Sequence, residues 1–140
     1  MHLNRGRIWL GGLAGGVVWN LWSFLIFHFI TGARYGVAQS AGYFLTTPRY
    51  PFFVAQWTVL LFVLAIAVSH LYAWARQGLG PGPGTALKIG FVVGFVGGFP
   101  ENFAQATWFA GDRALPFGWM IEMWLGAILA AMVAGWLYKD

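Results

Sequence analysis

FFVAQWTVLLFVLAIAVSHLYAWA, residues 52–75, contains no Asp, Glu, Lys or Arg. A helix needs about 20 predominantly apolar residues to cross the hydrocarbon core of a bilayer, so this run reads as a membrane span. Working outward, three further stretches have the same character, residues 8–30, 86–110 and 115–138. The expected fold class is therefore an all-α membrane protein, a bundle of four transmembrane helices forming a single transmembrane domain over residues 1–140. Composition agrees. Hydrophobic residues make up 59% of the chain, charged residues 9%, and mean hydropathy is +0.67. A soluble domain carries roughly 25% charge, which excludes a water-soluble globule.

The net charge of +4 comes from eight dispersed Lys and Arg residues, which excludes a polybasic nucleic-acid module and a disordered tail. Without cysteine the chain has no disulfide framework, thiolate metal site or cysteine nucleophile. The first apolar run is longer than the core of a secretory signal and no A-x-A pattern follows it, so it reads as a retained span. Of the connections, residues 31–51 are long enough to hold extra structure. Gly78 to Gly84 and Gly111-Asp112-Arg113 read as tight turns.

Lys and Arg near span ends set orientation. With the N-terminus inside, the cytoplasmic end carries Arg5, Arg7, Arg76, Lys88 and Lys139, and the outer end Arg34, Arg49 and Arg113. Both termini are thus expected inside. Trp9, Tyr50, Tyr72, Trp74, Trp119, Trp136 and Tyr138 fall near span ends, where amphipathic rings prefer the headgroup region. The halves also correspond: Gly15-Gly16 precedes Asn20 as Gly97-Gly98 precedes Asn102, and Leu71-Tyr72 closes the second span as Leu137-Tyr138 closes the fourth. This reads either as two repeated helical hairpins or as coincidence in an apolar alphabet.

The segments Arg7-Ile8-Trp9-Leu10-Gly11-Gly12, Leu71-Tyr72-Ala73-Trp74-Ala75-Arg76 and Gly80-Pro81-Gly82-Pro83-Gly84-Thr85-Ala86-Leu87 resemble a group of small bacterial four-helix membrane proteins with no assigned activity. The resemblance covers about a quarter of the chain. It implies a bacterial cytoplasmic (inner) membrane location and supplies no functional residue.

Small residues four apart let membrane helices approach closely, because lipid tails are as apolar as leucine and packing must drive association. Gly12 and Gly16 in the first span, Gly90, Gly94 and Gly98 in the third, and Gly126 in the fourth are the candidate packing positions. They would serve either the bundle itself or a face for another subunit.

Each glycine face gives way to polar residues toward the outer end. Gly94, Gly98, Glu101, Gln105 and Trp108 follow a 4-3-4-3 spacing with Asn102 adjacent, and Gly12, Gly16, Asn20, Ser23 and Phe27 do likewise. At ~1.5 Å per residue, Glu101 and Glu122 fall within about 5 Å of each other in depth. An intramembrane carboxylate is expensive unless protonated or paired, and two in one pocket favour holding a proton. Pro100 frees a carbonyl one turn earlier. The expected site is a polar outer cavity lined by Glu101, Asn102, Gln105, Glu122, Asn20 and His28. The alternatives are a Glu122 paired with Arg113 at the interface and a structural Glu101.

His28 and His70 end spans that run in opposite directions, so one haem held by both is disfavoured. A metal held by His28, Glu101 and Glu122 lacks the Glu-x-x-His pairs of di-iron bundles. No cofactor is predicted, with haem or quinone a remote alternative. There is no phosphate-binding loop, nucleophile elbow or H-E-x-x-H. The chain therefore reads less as an enzyme than as a small membrane subunit. It would assemble through glycine-rich faces, with itself or within a larger complex, and bind a proton, cation or small polar ligand. A homo-oligomeric transporter or channel and a redox anchor are the competing readings.

Overall fold

The computed structural model describes residues 3–139, which form helices and turns with no strand among the described residues. The helices are α1 (Arg5–Ile26), α2 (Gly32–Ser40), α3 (Phe53–Leu79), α4 (Pro83–Trp108) and α5 (Ala114–Leu137). A wide π-helical turn, Phe27–Thr31, joins α1 to α2 without a break. The segment expected to be a loop after residue 30 is thus helical to Ser40. No proline or second glycine interrupts it before Gly36, so the helix runs on.

Three segments are long and apolar enough to cross a membrane: Arg5–Ser40, Phe53–Leu79 and Ala114–Leu137. The sequence reading counted four. α4 is as long as its neighbours, but its five glycines together with Lys88, Glu101, Asn102 and Gln105 make it less apolar. Its packing is that of a full bundle member. A Cβ on Gly90 would meet Ile128 Cα at 2.5 Å, one on Gly94 the Trp124 carbonyl oxygen at 2.6 Å, and one on Gly98 the Met120 carbonyl oxygen at 3.1 Å. Numbers that rise on one helix as they fall on the other define an antiparallel pair. Each glycine costs about 1 kcal/mol of helix propensity relative to alanine, and the close backbone approach offsets it.

α1 uses its two glycine pairs for two different neighbours. Gly12 and Gly16 face Ile66 and Phe62 of α3, and Asn20 extends that seam by donating to the Thr58 carbonyl at 3.4 Å. Gly11 and Gly15 face Ala134 and Ala130 of α5. One residue of phase, about 100° of rotation, turns the second pair toward the second neighbour. α3 and α5 run parallel to each other, and α1 and α4 each pack against both. The centre between them is filled by Trp19, Leu61, Ala65, Val68, Ala127, Ala130 and Ala131.

At one end of the bundle the termini of the described chain meet. The Asn4 side chain caps α1 by accepting from the Arg7 N–H, while its own backbone N–H donates to the Tyr138 hydroxyl at 3.1 Å. The Gly82 N–H, at the start of α4, donates to the Tyr72 hydroxyl at 3.2 Å. Each hairpin thus ends in a tyrosine that secures the first turn of the other, and the two rings touch edge to face, 6.2 Å apart. Arg76 lies over the Tyr138 ring.

At the opposite end α2 folds over the α4–α5 connection. Arg34 pairs with Asp112 at 2.9 Å and also donates to the Ile30 carbonyl. The Trp119 indole donates to the Tyr35 hydroxyl at 2.6 Å, and Phe44 stacks on Phe109. The Ala114 backbone N–H, ahead of the Arg34 guanidinium, holds the Asp112 carboxyl below the usual carboxylate range.

Candidate functional site

The polar centre of the bundle is built around Glu122. Its position on α5 places it eight residues inside the helix start, ~12 Å at 1.5 Å per residue. It is 7% exposed. Gly126, one turn further along, has no Cβ, and the Trp19 indole occupies that space and donates to the Glu122 backbone carbonyl at 3.2 Å. Trp22 does the same to the Ile121 carbonyl at 3.1 Å. α1 is thereby fixed on α5 at the level of the carboxylate.

The carboxylate receives donors from two other helices. The Ser23 hydroxyl of α1 and the Trp57 indole of α3, the latter at 3.0 Å, both donate to Oε1. Oε2 accepts no hydrogen bond from any described residue. One oxygen is thus fixed and one is available. Such a group can hold a proton, or offer a lone pair to a cation or a ligand N–H. Tyr35, whose hydroxyl accepts from Trp119, belongs to the aromatic cluster at the α2 end and lies within electrostatic reach of the carboxylate.

The other expected site residues are distributed differently. Asn20 is half-buried and donates back to the Gly16 carbonyl at 2.9 Å as well as to Thr58. Asn102 is buried and donates to the Gly98 carbonyl at 2.7 Å, the same one-turn contact. His28 is exposed, stacked on Phe24 and edge-on to Phe29. Glu101 and Gln105 are exposed on α4.

Of the two carboxylates expected to share a cavity, Glu122 is thus buried on α5 and Glu101 exposed on α4. The α4–α5 contact follows the ridge of residues four apart, Gly90, Gly94, Gly98 and then Asn102. Glu101, three residues after Gly98, steps off that ridge. The glycines named as packing positions, Gly12, Gly16, Gly90, Gly94, Gly98 and Gly126, are all occupied by neighbours in the same chain, which leaves none of them free as a face for another subunit. Glu122 does not pair with Arg113; the ion pair at that end is Arg34 with Asp112.

One partner of the carboxylate, Trp57, and the nearby Trp119 partner Tyr35 carried no signal in the sequence as site residues. A tryptophan in an apolar run looks like core or lipid contact, and Tyr35 lay in what read as a loop. Ser23 was visible, on the same side of α1 as Gly16 and Asn20. Among the described residues no three His, Asp or Glu side chains gather into a metal-binding group. A hollow lined by Arg34, Val37, Ala38, Tyr43, Gly111 and Asp112 opens at the α2 end, away from the Trp19–Glu122 contact. No known protein family, curated protein or solved structure shows a detectable match to this chain.

Proposed function

We propose that this chain is a small four-span membrane subunit whose working group is Glu122, binding a proton, a cation or a small polar ligand from the outer half of the bundle. The observation that carries the reading is the half-used carboxylate, with Oε1 fixed by Ser23 and Trp57 and Oε2 without a hydrogen-bond partner among the described residues. A carboxylate at this depth is costly, and such groups in membrane helices belong to ion or proton sites by default.

Four spans are supported by α4 packing antiparallel along the apolar helix α5, from Gly90 against Ile128 to Gly98 against Met120. The orientation with both termini in the cytoplasm is supported by charge, since Arg5, Arg7, Arg76, Lys88 and Lys139 lie at the end where Asn4 meets Tyr138. A bacterial inner membrane is the location this reading favours. A repeated hairpin, with Gly16 corresponding to Gly98, is supported by the matching contacts Gly12–Ile66 with Gly94–Trp124 and Gly16–Phe62 with Gly98–Met120. The glycine seams build the bundle, so association with other chains uses other surfaces.

The test is infrared difference spectroscopy on detergent-solubilised protein, stepping pH and then adding sodium, potassium or choline. Carboxyl vibrations should respond to one of these steps, and the response should vanish in Glu122→Gln while persisting in Glu101→Gln. A spectrum in which Glu122→Gln changes nothing would reduce Glu122 to a structural crosslink.

A further inference from the structure

Glu101 stands on the side of α4 that the bundle leaves uncovered. It is exposed and makes no hydrogen bond or ion pair with any described residue. Gln105, one turn further, is also exposed, and one turn earlier a Cβ on Gly97 would meet nothing within 4 Å. Over ~12 Å of helix this face thus presents a carboxylate and a side-chain amide. Beside them on the same side Trp108 is exposed and apolar. The charged group of this face is the Glu101 carboxylate.

Uncompensated ionisable side chains on the lipid-facing side of membrane helices are rare, because they are expensive there. A partner for Glu101 must come from outside the chain. A second copy docking symmetrically through this face would set Glu101 against Glu101, since a two-fold contact matches a patch with itself. Like charges repel most where the dielectric is low. Charge complementarity selects a donor-rich, positively charged partner.

We infer that the outward face of α4 around Glu101 and Gln105 docks a membrane-spanning helix of a different protein, one that carries a guanidinium or ammonium group at the same depth. The inference rests on reading this chain as a membrane subunit and supplies the chemistry of its partner. Glu122 serves the ligand and Glu101 the assembly, so the two carboxylates have separable roles.

The test uses a synthetic single-span Leu/Ala peptide with one arginine seven residues from its outer end, and a twin with leucine in that place. The chain lacks cysteine, so Gly36→Cys gives a single labelling site, where a side chain meets nothing within 4 Å. Energy transfer in phosphatidylcholine vesicles then reports association. The arginine peptide should associate about tenfold more strongly than its twin. Glu101→Gln should bring the two level, and Glu122→Gln should leave the difference intact. Equal association of both peptides with the unaltered protein would overturn the inference, as would a preference that survives Glu101→Gln. So would cross-linking of Gly97→Cys copies to one another at a yield the arginine peptide does not reduce, because a second copy would then own the face. Resistance of the chain to alkaline extraction from vesicles, measured in parallel, does not depend on Glu101; release into solution would overturn the membrane reading itself.

Discussion

The indole N–H of Trp57 and the carboxylate of Glu122 meet at 3.0 Å across α3 and α5, although 65 residues separate them in sequence. Ser23 of α1 reaches the same oxygen. A single atom therefore links three helices, and its removal should be felt by all of them.

Glu122→Gln should retain the fold, because the amide oxygen still accepts from Ser23 and Trp57, at a cost below about 1.5 kcal/mol. Glu122→Leu leaves two part-buried donors without their acceptor, at a cost of up to about 1–3 kcal/mol each. Reversible unfolding in mixed micelles, followed by helical circular dichroism, should rank the two substitutions in that order.

Gly126→Ala should destabilise by about 1–3 kcal/mol, since its methyl group enters the space held by the Trp19 indole. Gly97→Ala should be neutral or stabilising by up to ~1 kcal/mol, because it meets open space and alanine is the better helix former. The pair makes a matched control in the same unfolding assay. Equal damage at both positions would contradict the packing described here.

Tyr72→Phe and Tyr138→Phe each remove one acceptor for a helix-start N–H, those of Gly82 and Asn4 respectively. The expected cost is about 1 kcal/mol apiece. Hydrogen exchange should localise the two effects to different hairpins: Tyr72→Phe should speed exchange at the start of α4, and Tyr138→Phe at the start of α1.

Docking of α2 should depend on pH only in acid. The Asp112 carboxyl is held below its ordinary value of 3.8, first by the Ala114 N–H and then by Arg34. A group whose folded pKa is lowered contributes in full above its unfolded pKa and loses that contribution as pH falls through the folded value. Amide exchange over Gly32–Ser40, corrected for the intrinsic rate, should be flat from neutral pH to about pH 5 and accelerate below about pH 4. Asp112→Asn should abolish the step. The effect should be modest, because exposed ion pairs are screened by solvent.

What the sequence made legible follows a physical division. Apolar runs and four-residue glycine spacings survive translation into structure because both depend on one helix at a time, and Gly90, Gly94 and Gly98 do line the contact of α4 with α5. The site was only half visible. Gly98 to Glu101 and Gly98 to Asn102 are similar steps on a helical wheel, and only the crossing geometry of α4 on α5 decides that Asn102 turns in while Glu101 turns out. The double use of α1 was hidden for a related reason: Gly11 and Gly12 belong to different interfaces, and nothing local says so. Trp57 was beyond reach, because its role consists of a bond to a residue on another helix.

The wide turn at Phe27–Thr31 acts as a phase shifter. Buried positions on the first segment fall at Ile26, Thr31 and Ala38, so the step across the turn is five residues where an uninterrupted α-helix would bury its neighbour after three or four. Removing one residue from this turn would let the helix run through in ordinary register and rotate everything beyond it by about 100°. Arg34 would swing off Asp112 and Tyr35 off Trp119, while every residue up to Ile26 kept its place. Length at this point is thus held more tightly than identity: substitutions among Phe27, His28 and Phe29, all exposed, should be absorbed, whereas a single-residue deletion should detach the outer cover from the bundle.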